Sequence, residues 1–253
     1  MGVHVHRRRK ITAAGLLAGL AATGTAFAGT GWAITEGKEA AGAPNGMVQV
    51  STSRTGNGTS LCGGSLINER WVLTAAHCVE ASSEGGEVES IRVLYGSLER
   101  DRGSALAVKR RHIEAGFDLA LLELKDGAGA AATAPLADTG PAVGSTGEVS
   151  GWGTTGNGEF PDKLRTARVK VDAVGGDCTD GAGGPGVCTS EVTGEFAGGD
   201  SGGPLFVDGR QAGVVSNSEN FAFAGVAGRL PWMEKTTGLD LDDDGSGGAG
   251  PDA

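Results

Sequence analysis

The chain has 253 residues, 47 of them glycine and only 5% aromatic, with a formal net charge of -10. That length is ample for one large or two small domains with a buried core. The acidic balance argues against non-specific binding to nucleic acid or acidic lipid, so neither a nucleic-acid nor a membrane partner is expected.

The first residues differ in kind. His6-Arg7-Arg8-Arg9-Lys10 is followed by an apolar run over 11–20 and then small residues up to Ala26-Phe27-Ala28. A basic head, a short apolar middle and an A-x-A end describe a secretory signal over 1–28, so the protein is expected to be secreted. The apolar run is too short for a transmembrane helix. Cleavage after Ala28 leaves a five-residue propeptide, 29–33; cleavage after Ala33 frees Ile34 directly. Four cysteines, Cys62, Cys78, Cys178 and Cys188, suit an exported, oxidised protein. Their spacing suggests two local bridges, Cys62–Cys78 and Cys178–Cys188, out of three possible pairings. Zinc ligation competes weakly, since no Cys-x-x-Cys or paired histidine supports it, and no metal or cofactor is expected.

From Ile34 onward the chain reads as many short strands. Residues 47–52 alternate; 60–67 and 71–78 are apolar runs joined by Asn68-Glu69-Arg70, a hairpin. Further strands are expected over 91–95, 105–108 and 117–124, the last with Asp118 at its entrance. Residues 126–147, rich in Gly, Ala, Thr and Pro, read as a connection between two halves. Strands follow over 147–152, 164–174, 204–207, 211–215 and 224–230, then a short helix over 231–237. The pattern with its Gly-rich turns predicts an all-β sandwich or barrel. The domain is placed at 34–238. The acidic, Gly-rich end, 239–253, is read as a disordered tail. Within it Asp240-Leu-Asp242-Asp-Asp244-Gly245 copies half of a calcium loop, but Pro251 stands where the last acid belongs, so a solvated tail is the simpler account.

One stretch organises the chemistry: Gly199-Asp200-Ser201-Gly202-Gly203-Pro204. Such a sequence also makes ordinary turns. A serine among glycines, however, presents its hydroxyl together with nearby backbone N–H groups, which is what acyl transfer needs. A serine hydroxyl is a weak nucleophile and requires a base. His77 is the candidate, because His4 and His6 fall in the signal and His112 sits beside Arg110-Arg111.

With Thr74-Ala-Ala-His77-Cys78, Asp118-Leu-Ala-Leu-Leu, Ser150-Gly-Trp-Gly153 and the stretch around Ser201, in that order, the sequence resembles the trypsin- and chymotrypsin-like serine proteases, in a secreted bacterial type. The resemblance covers about residues 34–234. It implies two six-stranded antiparallel β-barrels with the site between them, and a Ser201–His77–Asp118 triad. It further implies an oxyanion hole from the N–H groups of Gly199 and Ser201, and Ser216 as a partner of Asp118. Asp200 would pair with the freed α-amino group of Ile34, so that cleavage before Ile34 switches on activity. The specificity pocket departs from the family. Glu195 stands six residues before Ser201 where trypsin-like members have aspartate, the flanking cysteine pair is missing, and the wall reads Ser216-Asn217-Ser218, with Gly225 matching a pocket glycine. Glu195 either meets a basic substrate side chain or points to solvent.

These features together predict a monomeric secreted serine endopeptidase acting on proteins or peptides. The competing readings are a folded but catalytically silent protease-like binding protein, motivated by the altered pocket, and an esterase. The second is disfavoured because esterases of the Gly-x-Ser-x-Gly type carry their triad in the reverse order.

Overall fold

The computed structural model describes Gly2 and residues 37–81, 86–129, 131–218 and 220–241. Apart from Gly2, the expected signal lies outside them, as do the propeptide, Ile34 and the acidic end beyond Leu241.

The first half opens with β1 (Lys38–Glu39) and continues through β2 (Met47–Arg54), β3 (Gly58–Asn68), β4 (Trp71–Thr74), β5 (Val88–Tyr95), β6 (Ser104–Ile113) and β7 (Ala120–Leu124). Strands β2 to β7 close into an antiparallel barrel in the order β2-β3-β4-β7-β6-β5. Its inside is filled by the apolar runs read from the sequence, among them Val48, Val50, Leu66, Val72, Leu73, Val93, Leu121 and Leu122. The hairpin at Asn68-Glu69-Arg70 forms as expected, with β3 and β4 antiparallel.

The second half holds β8 (Thr146–Gly151), β9 (Arg165–Thr179), β10 (Pro185–Thr193), β11 (Pro204–Val207), β12 (Arg210–Asn217) and β13 (Ala222–Gly225). They pair in the order β9-β10-β13-β12-β11-β8, and β8 returns to β9, which closes a second six-stranded barrel with β1 added at the edge of β9. Strand β9 alternates: Ala167, Val169 and Val171 are buried, while Arg168, Lys170 and Asp172 are exposed. The segment between the halves crosses as irregular chain, pinned where Ala137 N donates to Gln211 O at 3.0 Å and Gln211 N donates to Pro135 O at 2.8 Å.

Three elements differ from expectation. The apolar run 71–78 is a strand only to Thr74; Ala76–Val79 forms a single helical turn, α1. Residues 224–230 do not continue as a strand, because β13 ends at Gly225 and a 3₁₀ turn over Ala227–Arg229 leads into α2 (Leu230–Thr237). Strand β10 was not anticipated, since Pro185-Gly186 and a polar second half hide it. Helix α2 starts with Pro231 in its first turn and stops at Gly238 in the left-handed conformation, both as helix ends favour. The packed chain continues past it: Leu239 and Leu241 lie against the first core, and Leu241 N donates to Glu234 Oε1 at 3.1 Å. Both expected disulfides form, Cys62–Cys78 and Cys178–Cys188.

Candidate active site

The two barrels meet where the loop before β11 lies against β3 and β4. Gly63 N donates to Ser201 O at 2.7 Å, and Gly203 lies directly over Gly63. Gly202 has φ of +79°, and a methyl there would run into Thr74 Oγ1 and Gly63 O. A larger residue would therefore push the Ser201 loop off the first barrel.

His77 sits on α1, directly after buried β4, and Cys78 ties that turn back to Cys62 on β3. Asp118 precedes β7 and is buried, 4% exposed. Its Oδ1 accepts His77 N at 3.0 Å, and its Oδ2 lies 2.8 Å from His77 Nδ1. Ser216, at the end of β12, donates from Oγ to the same Oδ2 at 2.5 Å. Burial works to raise the Asp118 carboxyl, but the hydrogen bonds and charge of His77, helped by Ser216, outweigh it and hold the group below the ordinary carboxylate value. With Nδ1 donating to an anion, Nε2 is left as the basic nitrogen.

Ser201 and His77 line one cleft of about 550 Å³, together with Asp118, Gly181, Ser216 and Ser218. Among the hydrogen bonds of the described residues, none joins Ser201 Oγ to His77 Nε2, whose nearest recorded partner is Cys78 Sγ at 3.8 Å. Gly199 has φ of +101°, a conformation suited to glycine, and it borders a second hollow lined by Phe160 and Arg100. Two carboxylates, Glu80 and Glu114, edge the main cleft; Glu114 pairs with Arg229 at 3.5 Å.

Asp200 is fully buried. Its Oδ1 accepts Gly153 N at 2.7 Å and its Oδ2 accepts Ala197 N at 2.9 Å. A methyl at Gly151 or Gly153 would overlap its carboxylate, so the Ser150-Gly-Trp-Gly153 motif is a cradle shaped for this acid. Burial pushes the Asp200 carboxyl up to about 6, against the pull of the two N–H donors.

The expected pocket residues separate. Ser216 and Ser218 line the cleft, whereas Glu195 is exposed outside it. Gly225 pairs with Gly213 and lines a different hollow, with Phe117, Pro185 and Arg229. The register explains the displacement. Asn217 faces Ala222, so that end of β13, not Gly225, comes level with the cleft wall. There Phe221, at φ of +47°, packs edge-on against buried Phe196 with ring centres 5.3 Å apart. The Cys62, His77, Cys78 grouping offers no thiolate to a metal, because both sulfurs are in the disulfide.

One positioning group had no signal in the sequence. Arg54, at the end of β2, donates from Nη2 to His77 O at 3.1 Å, Cys78 O at 2.8 Å and Glu80 O at 3.3 Å, and from Nη1 to Ser60 Oγ at 2.6 Å.

Comparison with known proteins gives the family and the fold. A family model described as trypsin matches residues 34–228. Trypsin 5G1 of Aedes aegypti is 34% identical over 223 residues, covering 76% of this chain and 80% of its own length. Human kallikrein-8 is 31% identical over 210 residues, covering 70% of this chain and 77% of its own. Among solved structures, neuropsin, a serine protease expressed in the limbic system of mouse brain, superposes with a TM-score of 0.65 at 25% identity, over 80% of this chain and 99% of that one. On fold, motif order and sequence, the chain belongs to the trypsin family of serine endopeptidases.

Proposed function

We propose that this protein is a secreted endopeptidase that hydrolyses peptide bonds with Ser201 as nucleophile, His77 as general base and acid, and Asp118 as the group that orients and charges the imidazole. The observation that carries the proposal is the His77 Nδ1–Asp118 Oδ2 hydrogen bond of 2.8 Å in a cleft shared with Ser201.

His77 Nε2 takes the hydroxyl proton as Ser201 Oγ bonds to the scissile carbonyl carbon. The negative charge that develops on the carbonyl oxygen is received by the N–H groups of Gly199 and Ser201, each worth about 2.7–4 kcal/mol where such donors have been removed. The imidazolium then protonates the departing amine, the C–N bond breaks, and an acyl-serine remains. Water repeats the sequence: His77 takes its proton, the acid leaves, and Ser201 recovers its hydrogen. Catalytic hydrogen bonds of this kind tighten in the complex with substrate, so the Ser201 Oγ–His77 Nε2 contact is expected to close there.

The proposal includes a signal over 1–28, removal of the residues before Ile34, a mature domain over 34–238, and pairing of the Ile34 amine with Asp200. The buried, cradled carboxylate of Asp200 supports that pairing, since a charge there needs a counter-charge. A chain retaining Ala33 should be far less active than one beginning at Ile34. The named relatives are insect and mammalian, and a bacterial type draws no support from them.

The test is a fluorophosphonate probe applied to the processed protein. Labelling that disappears in Ser201→Ala supports the enzyme. A folded wild-type protein that stays unlabelled and leaves peptides intact returns the silent binding protein.

A further inference from the structure

Asp180 lies two residues after Cys178, in the connection between β9 and β10, and its side chain is buried, 5% exposed. The proposed chemistry gives it no role. Its Oδ1 accepts the N–H groups of Ala182 and Gly184, both at 2.9 Å, and so shapes the turn that follows it. Its Oδ2 accepts the N–H of Asp118 at 3.0 Å, reaching from the second barrel to the first.

The same turn touches the site a second time. Gly181 N donates to Ser216 Oγ at 2.8 Å. A hydroxyl carries a single proton, and with Oγ accepting from Gly181 that proton is directed to Asp118 Oδ2, 2.5 Å away. The Cys178–Cys188 bridge closes the base of this turn.

We infer that Asp180 is a positioning residue: it grips Asp118 by the main chain and, through the turn it folds, fixes the direction of the Ser216 hydroxyl, so that Asp118 Oδ2 stays aimed at His77 Nδ1. Resting on the proposed triad, it makes the bridged β9–β10 turn a working part of the site instead of a distant loop. Asparagine cannot replace the carboxylate. Its single carbonyl oxygen can face either Asp118 N or the turn donors, and its amide hydrogens then meet N–H groups on the other side.

The test compares wild-type full-chain protein with Asp180→Asn and Gly181→Ala. The second variant changes no charge; its methyl would sit 3.1 Å from Ser216 Oγ and 3.6 Å from Asp118 Oδ2. The direct readout is the downfield NMR signal of the His77 Nδ1 proton, assigned by its loss in His77→Ala. In both variants it should move upfield or vanish, while circular dichroism still reports a folded chain. In the active protein kcat should fall about 10–100-fold with KM little changed, as expected when an orienting group slips by a fraction of an ångström. An unmoved Nδ1 proton signal in both folded variants overturns the assignment. Should Asp180→Asn fail to fold, Gly181→Ala alone decides. Failure of the proposed function reads differently: a wild-type protein unlabelled by fluorophosphonate loses the turnover comparison, yet its Nδ1 proton still reports how Asp118 is held.

Discussion

The guanidinium of Arg54 closes the open end of the turn that carries His77, with Nη2 at 3.1 Å from His77 O and 2.8 Å from Cys78 O. A one-turn helix leaves its last carbonyls without internal partners, and a planar fork can serve several at once. Arg54→Ala should therefore cost about 1–3 kcal/mol of stability, given hydrogen bonds from a charged donor. Arg54→Lys should recover little of it, because an ammonium lacks the fork. Chemical denaturation of the three proteins checks the order.

Asp118→Asn keeps the shape of the site and changes its proton inventory. The Asn amide can donate to Nδ1, which moves the imidazole proton to Nε2, the wrong nitrogen for a base. A fall in kcat of about 10⁴-fold is expected. The group also carries a stability signature. Its folded pKa lies below the ordinary value, so its contribution is present above the unfolded pKa of about 4 and is lost as pH falls through the folded one. Wild-type protein should lose stability below that point more steeply than Asp118→Asn.

Asp200 gives the opposite slope. Its folded pKa is about 6, above the usual 3.8, so the neutral form is favoured in the fold. Its stabilisation is complete below the unfolded value and disappears as pH rises through about 6, a difference of about 3 kcal/mol. Thermal melts of a chain that still carries residues before Ile34 should thus fall between pH 4 and 7.5, and Asp200→Asn should flatten that trend. A chain beginning at Ile34 should flatten it too, since the amine supplies the missing counter-charge. An equal slope in all three would remove Asp200 from the account.

Specificity separates Glu195 from the Phe221–Phe196 ring pair. An exposed carboxylate is screened and contributes at most about 1 kcal/mol to an ion pair, or roughly fivefold. Profiling on a peptide library should therefore show Glu195→Gln within that margin of wild type. Phe221 is expected to matter more: a bulky residue at φ of +47° is strained, it lies next to Ala222 opposite Asn217 of the cleft wall, and its ring meets Phe196 edge-on. Phe221→Gly should relieve the strain and raise turnover of substrates with a larger side chain before the scissile bond. An unchanged profile would dissociate this ring pair from substrate choice.

What the sequence made legible follows from chemistry that admits few residue types. The residues at positions 77, 118 and 201 stand in recognisable motifs because the base, anion and nucleophile proposed for them cannot be substituted freely, and the barrels announced themselves through alternating runs such as Ala167, Val169 and Val171. Arg54 and Asp180 were silent. Both act on main-chain N–H and C=O groups, which every residue possesses, so their partners leave no mark in the sequence. Helix α1 was misread because Ala75 and Ala76 continue the apolar run of β4 and Cys78 and Val79 follow His77, and in so short a stretch a buried strand and a buried turn look alike. Gly225 was misplaced because register, set by Val215 facing Phe223, is a property of two strands and cannot be read from one.

The components of the cleft are divided between the halves: His77 and Asp118 come from the first barrel, Ser201 and Ser216 from the second. For a chain made from its N-terminus on a ribosome, the hydrolytic apparatus stays incomplete until the last strands have emerged and docked. A truncated or half-finished product lacks one wall of the cleft.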